Sequence, residues 1–226
     1  MKYVHPFFDV ALVAGEEAVP VVVVESPAAF AELLRDIASS IEGNEERSML
    51  FSGEKSLSFS SSAELLSAFF PFDLNKKTLL TKIAAALEKE AISPEQYQKT
   101  MGLLSETEAY LSTLAENFDC NLSFSKISPA SVIRSAGMEI VDDYGSLPEK
   151  ILDYFELVRE FEREKLFFTV NLHAFLTEEE ADAFLQSVVM HGFSVVMFEN
   201  KEYPKSKWEK RLILDQDLCI IESTDV

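Results

Sequence analysis

The sequence predicts an α/β protein: a head domain with a mainly parallel sheet flanked by helices, into which an all-helical leg domain is inserted. Three observations carry this. First, LFFTVNL (166–172) and FSVVMFEN (193–200) are apolar runs without alternation, the pattern of strands covered on both faces in a parallel sheet. Between them Thr177-Glu178-Glu179-Glu180 forms a capping box opening a helix that runs to Gly192, a natural C-cap; strand, crossover helix and strand make a βαβ unit. Second, AVPVVVVE (18–25) near the start of the chain is a further buried strand. Third, the middle of the chain carries helical periodicity alone.

Taken in order, the strand at 18–25 leads into a helix with Ser26 as N-cap and Pro27 at its first position. Phe30, Leu33, Leu34, Ile37 and Ile41 fall on one face of that helix, and Glu42-Gly43-Asn44 ends it. SMLFSGEKSLSFS reads as a hairpin around Gly53-Glu54, whereas AELLSAFFPF fits helix and strand alike. A helix begins near Lys76, with Leu79, Leu80, Ile83 and Leu87 on one stripe. Ser93-Pro94-Glu95-Gln96 is read as a capping box for a longer helix bearing Tyr97, Met101, Leu104, Leu111, Leu114 and Phe118. The two are expected to pack lengthwise as a helical hairpin. A short helix spans Ser128 to Gly137, Ser146-Leu147-Pro148-Glu149 opens the helix that returns to the sheet through Ile151, Phe155 and Val158, and the basic loop KEYPKSKWEKR and a final run RLILDQDLCII, which begins at Arg211, close the chain. The expected division is 1–75 with 151–226 for the head and 76–150 for the leg.

Charge agrees with that division. The chain has 226 residues and a formal charge of −19; the outer segments 1–75 and 151–226 each hold −8 and the middle only −3. So acidic a chain repels nucleic acid from an open surface, because phosphate binding needs a basic one. Five cations are the local exception: Lys201, Lys205, Lys207, Lys210 and Arg211, with Tyr203 and Trp208 interleaved and only Glu202 and Glu209 opposing. They are candidate phosphate contacts, as are Lys76 and Lys77 at a helix N-terminus. The apolar runs are strand-sized, far short of the ~20 residues that span a bilayer, so no membrane contact is expected and the cytoplasm is the expected location. Cys120 and Cys219 lie far apart without metal-ligand spacing and are expected as buried free thiols.

Several chemistries lack their residues. The seven glycines never approach the G-x-x-x-x-G-K-[ST] spacing of a phosphate loop, so Asn75-Lys76-Lys77-Thr78 has no backbone to wrap a triphosphate. His5, His173 and His191 share no metal-binding spacing and sit in no nucleophile context; His173 reads as an ordinary polar strand end. Glu199-x-Lys201 resembles half of a metal-dependent nuclease motif, in which a carboxylate holds a metal and a lysine steadies the attacking water. The acidic partner is missing: Asp182 and Glu180 fall on a helix, and a solvated strand end explains the same letters.

Several words in fixed order carry a family resemblance: VNLHAFLTEEEADAF, the strand ending in Glu199 and ILDQDLCII, and upstream FFPFDLNKKTLLTKIAAALE and VIRSAGMEIVDDYGSLPEKILDYFELV. In order and total length the chain resembles the Csn-two family, ring-forming DNA-end-binding proteins of type II-A CRISPR systems that take part in capturing new spacers. The resemblance favours a strand in AELLSAFFPF and adds Arg163 and Lys165, before the strand at 166, as candidate DNA contacts, since family members carry a lysine run there that Glu164 interrupts in this chain. It implies a homotetramer ring that encircles double-stranded DNA ends without cleaving them, in spacer acquisition beside the CRISPR integrase and the type II effector nuclease. It also implies calcium, part of whose site would lie around residues 119–126. Only Asp119 is a carboxylate there, leaving Glu116 and Asp119 as the candidate ligands where calcium wants six to eight oxygens. Two readings from other classes stand beside this one: a metal-dependent nuclease using Glu199 and Lys201, and a protein-binding adaptor without DNA contact, which the negative charge would suit.

Overall fold

The computed structural model describes residues 1–44 and 47–222, and the chain divides into two compact units, Met1–Phe72 with Asp143–Val226, and Asp73–Asp142. The first unit is α/β. Its elements are β1 (Lys2–Val4), β2 (Leu12–Val13), β3 (Val19–Val24), α1 (Pro27–Ile41), β4 (Met49–Ser52), β5 (Lys55–Leu57), α2 (Phe59–Ser62) and β6 (Ala63–Leu66). After the second unit follow α6 (Leu147–Phe161), β7 (Leu166–Val170), a 3-10 turn (Leu172–Phe175), α7 (Glu178–His191), β8 (Ser194–Glu199), β9 (Glu209–Leu214) and β10 (Ile220–Glu222).

The main sheet runs β10-β9-β3-β8-β7-β6, parallel throughout except for β10. All six residues of β3 and of β8 are buried, as expected where helices or a second sheet cover both faces. One face packs on Leu33 and Ile37 of α1 and on Tyr3 and Leu50 of the antiparallel sheet β2-β1-β4-β5; Tyr3 meets Phe168 edge-on at 4.8 Å. The other face meets α6, where Phe155 stacks on Phe167 at 4.1 Å. The βαβ unit β7-α7-β8 has the expected capping box between Thr177 and Glu180, and Gly192 closes α7 at φ +66°, a conformation costly for any residue with a Cβ.

Four details differ from the sequence reading. Helix α6, capped by Ser146, lies wholly in the first unit, because its buried stripe of Ile151, Tyr154, Phe155 and Val158 faces the sheet; the 76–150 range cuts this helix. The final apolar stretch is broken in two by a turn in which Asp215 Oδ1 accepts from the Asp217 and Cys219 amides, and β10 returns antiparallel along β9. Both cysteines are exposed, since each stands in such irregular chain and not on a core face. AELLSAFFPF is strand only over Ala63–Leu66, and the chain then leaves the sheet through a cis Phe70–Pro71 peptide.

The second unit holds α3 (Lys77–Ala91), α4 (Tyr97–Ala115) and α5 (Pro129–Ser135). Among the described residues the expected hairpin of α3 with α4 does not form: α3 packs instead against α5, and Leu103, Tyr110 and Phe118 are left exposed. The capping box at Ser93 does not form either. Gln96 is the N-cap without a side-chain bond, because the Ser93 carbonyl already accepts from the Gln96 and Tyr97 amides. Asn75 closes the unit: its side chain donates to the Ile140 carbonyl (3.2 Å) and accepts from the Ile140 amide (2.7 Å).

His5 joins the small sheet to α1. It is buried, its Nδ1 accepts from the Phe7 amide (3.1 Å), and its Nε2 therefore carries the proton and donates to Asp36 Oδ2 (3.2 Å). Burial holds its pKa below the ordinary value despite the pull of Asp36. Below about pH 6.5 the unfolded chain gains this proton before the folded one, so stability falls with pH, by up to about 1.4 kcal/mol per pH unit. Urea midpoints between pH 7.5 and 5.5 should drop in the native protein and drop less in His5→Asn; parallel curves would remove His5 as the cause.

Candidate nucleic-acid interface

The lysine cluster is built by an unusual connection. Strands β8 and β9 both run parallel to β3 on either side of it, so the chain leaving β8 at the carboxyl edge of the sheet must return to the amino edge before β9 can start. It does so in the nine residues 200–208 without a helix, where a parallel crossover ordinarily takes a dozen or more residues. At ~3.3 Å per residue nine residues reach roughly 30 Å, enough for the return only if the strap stays extended.

Buried polar side chains fasten it from beneath. Glu209 and Arg211 alternate with Lys210 on β9 and point inward, while Lys210 is exposed. Arg211 Nη1 donates to the Tyr203 carbonyl (2.7 Å) and Nη2 to the Pro204 carbonyl (3.4 Å), and Nη2 lies 2.5 Å from Glu209 Oε1. Ser206 donates to Asp182 on α7 at 2.6 Å. Beside them Glu199, only 1% exposed, accepts through Oε1 from the His173 backbone amide (3.2 Å) and from His173 Nδ1 (2.9 Å), and the His173 ring stacks on Tyr203 at 5.1 Å. Burial holds the Glu209 carboxyl above its usual range, against the opposing pull of Arg211 and His173.

This arrangement sorts the expected site residues. Lys201, Lys205, Lys207 and Lys210 are exposed on the strap and the start of β9; Lys201 Nζ lies 4.9 Å over Tyr203 and Lys207 Nζ 5.1 Å over Trp208. Arg211 is corrected: it is an inward structural cation and not part of the outer cluster. Lys165, paired with Glu162 and 3.6 Å from Glu64, is similarly occupied within the fold; Arg163 is exposed. Lys76 is the half-buried N-cap of α3 and Lys77 its exposed first residue. Glu199 is no solvated strand end but a buried partner of His173, and Lys201 leans on an aromatic ring. Neither role was read from the sequence.

Glu116 and Asp119 are exposed around the end of α4, and among the described residues no three His, Cys, Asp or Glu side chains come together to hold a metal ion. Glu116 and Asp119 alone fall short of the six to eight oxygens that calcium takes. Nor, among the described residues, is any helix long and apolar enough to cross a membrane.

The fold and strap thus define a class: a two-unit α/β protein with a helical insert, whose cations are gathered on one crossover. The family model of CRISPR-associated protein (Cas_Csn2) matches residues 40–218, and the chain belongs to this family. The fold is similar to the crystal structure of Stu0660 of Streptococcus thermophilus, with a TM-score of 0.58 and 12% identity over 100% of this chain and 77% of that one. No curated protein matches.

Removing Arg211 leaves Glu209 buried and unpaired, a change that costs about 3–5 kcal/mol. Arg211→Ala should therefore lower unfolding stability by that amount. Relative to the native protein, whose stability falls over this range through His5, the variant should also recover stability as pH falls from 7 to 5, because the folded state takes up a proton on Glu209 before the unfolded state does. Denaturant titrations at the two pH values check both signs; a loss under 1 kcal/mol would show that the strap does not depend on this residue.

Proposed function

We propose that this CRISPR-associated protein is a non-catalytic ring that binds the ends of double-stranded DNA. In this reading four chains form the ring, and the protein works in the cytoplasm in spacer acquisition, beside the CRISPR integrase and the type II effector nuclease. The observation that carries the reading is the strap: Lys201, Lys205 and Lys207, with Lys210 after it, stand outward against one exposed carboxylate, Glu202, while Glu209 at the start of β9 is turned inward and paired with Arg211. Family membership supports the same direction. Each chain carries −19, so phosphate approaching an open face is repelled within a Debye length of ~8 Å. A closed channel lined by the few lysines escapes this repulsion, and DNA enters it only from an end.

The nuclease alternative loses its residues in this geometry. Glu199 is buried and hydrogen-bonded, and Lys201 stands over Tyr203. Linear DNA should survive prolonged incubation with magnesium or manganese; cleavage that disappears in Glu199→Ala would reverse the reading. Calcium has no fitted ligand set at Glu116 and Asp119, and no step depends on it.

The deciding experiment compares linear duplex with covalently closed circles of equal length at matched salt. Linear DNA should bind and circles should not; equal affinity would remove the ring. Lys205→Ala, Lys207→Ala and Lys210→Ala together should flatten the salt dependence by up to ~0.9 in the log–log slope for each phosphate that no longer meets a lysine. An unchanged slope would direct the search to Lys76, Lys77 and Arg163.

A further inference from the structure

Helix α4 carries two apolar faces, and only one of them is covered within the chain. The covered face holds buried Leu104, with Met101, Leu111 and Ala115 half-buried on the same side. Leu103, one position and ~100° around the helix, belongs to the other: it is 56% exposed, Tyr110 is 62% exposed and Leu114 40%. With exposed Thr107 these residues recur at spacings of four, three and four, the pattern of a seam between two coiled helices. The hydroxyls along this stripe are spent on the helix itself. Thr107 Oγ1 donates to the Leu103 carbonyl (2.8 Å), and beside the stripe Thr113 Oγ1 donates to the Ala109 carbonyl (3.1 Å). Covering the stripe therefore strands neither hydroxyl. Charge is placed at its ends: Lys99 is exposed at the amino end, and Glu116 and Asp119 are exposed at the carboxyl end. No cation lies between them, so phosphate has nothing to meet on this face.

We infer that the stripe joins two copies of this chain, α4 against α4 in antiparallel orientation. Placed about a centre between Thr107 and Tyr110, Leu103 of each copy meets Leu114 of the other and Tyr110 meets Thr107. Lys99 then comes level with Phe118 of the second copy, between its Glu116 and Asp119. A parallel pair instead sets Lys99 level with Lys99 and the carboxylates level with their own kind, so charge selects the antiparallel one. A foreign helix would meet the apolar stripe as well, but opposite charges at matching distances from its centre serve only self-pairing. Such a contact is isologous, and a ring of four built on it needs one further interface of a second kind. The inference rests on the four-chain reading above and names one of the surfaces that would close the ring.

The test is sedimentation of the full chain over a range of concentrations. The native protein should run as four chains. Leu103→Asp with Leu114→Asp should halve the sedimenting mass while circular dichroism stays native, since both side chains are exposed in the single chain. Lys99→Glu alone should weaken the pairing about tenfold, and adding Glu116→Lys and Asp119→Lys should restore it. An unchanged mass in the leucine variant overturns the inference and leaves the ring standing, as does a Lys99→Glu variant that shows no defect or a defect the charge exchange fails to rescue. A native protein that runs as two chains, and as one in the leucine variant, overturns the ring of four and upholds the α4 contact. A native monomer overturns both.

Discussion

The return from β8 to β9 is the constraint from which the candidate site follows. A parallel neighbour of β3 can be reached only by crossing a face of the sheet, and here the crossing is made by an extended strap in place of a helix. Such a strap has few backbone hydrogen bonds, the Ser206 carbonyl accepting from the Glu209 amide and the Trp208 carbonyl from the Val19 amide, yet part of it lies over the buried face and its other carbonyls must be satisfied. Arg211 resolves this by offering its fork of donors to two successive carbonyls of the strap, at Tyr203 and Pro204. A buried guanidinium needs a counter-charge, and Glu209 supplies it from the same face of the same strand two residues away. The ion pair is therefore less a source of net stability than a fixing of register for a segment that could not otherwise hold one position.

The sheet around this strap is held by ordinary packing, distributed so that the polar cluster sits at one end of one face. Along β3 and β9 one set of alternate residues, with Val22, Val24, Leu212 and Leu214, faces α1 and the small sheet. The other set, through Val21 beside Arg211 and Val23 beside Ile213, faces the strap side. Glu199 lies opposite Val23 in the parallel register, which brings it to the same side as Arg211. The His173–Glu199 pair and the Arg211–Glu209 pair are thus neighbours by register and not by sequence, and the influence of His173 on Glu209 follows from that.

What was legible in the sequence had local signals. The capping box at Thr177 and Glu180, the Gly192 stop and the unbroken apolar runs each lie within a few residues, so the βαβ unit could be read directly. The hairpin at Gly53-Glu54 and the Ser146 cap were legible for the same reason. The Arg211–Glu209 pair was nearly legible: starting the last strand at Glu209 and not at Arg211 makes the two-residue period visible and turns Arg211 inward. His173 and Glu199, by contrast, are brought together by the register of β7 on β8 and the turn that follows β7, which the βαβ unit by itself does not set. In the helical unit the apolar stripes of α3 and α4 announced buried faces without saying which helix covers which, and the inferred α3–α4 hairpin gave way to packing of α3 on α5.

The strap also divides its cations by type, and the division has a physical reason. Arginine keeps its charge when buried and matches two carbonyls with one rigid plane, so it belongs beneath the strap. A lysine in that place would present a strongly hydrated point charge whose desolvation could not be recovered by so few acceptors. On the outer side the balance reverses. The exposed Lys207 and Lys210 carry their ammonium groups on flexible stems, suited to a phosphate backbone whose exact register they need not know. In a chain of net charge −19 such residues act at short range only, since beyond a few ångströms the carboxylates elsewhere outweigh them. In the DNA-end reading proposed above, a surface of this kind would engage phosphates that geometry has already brought close and ignore those that diffuse past, so the acidity of the chain would be compatible with nucleic-acid contact and would restrict it to captured ends.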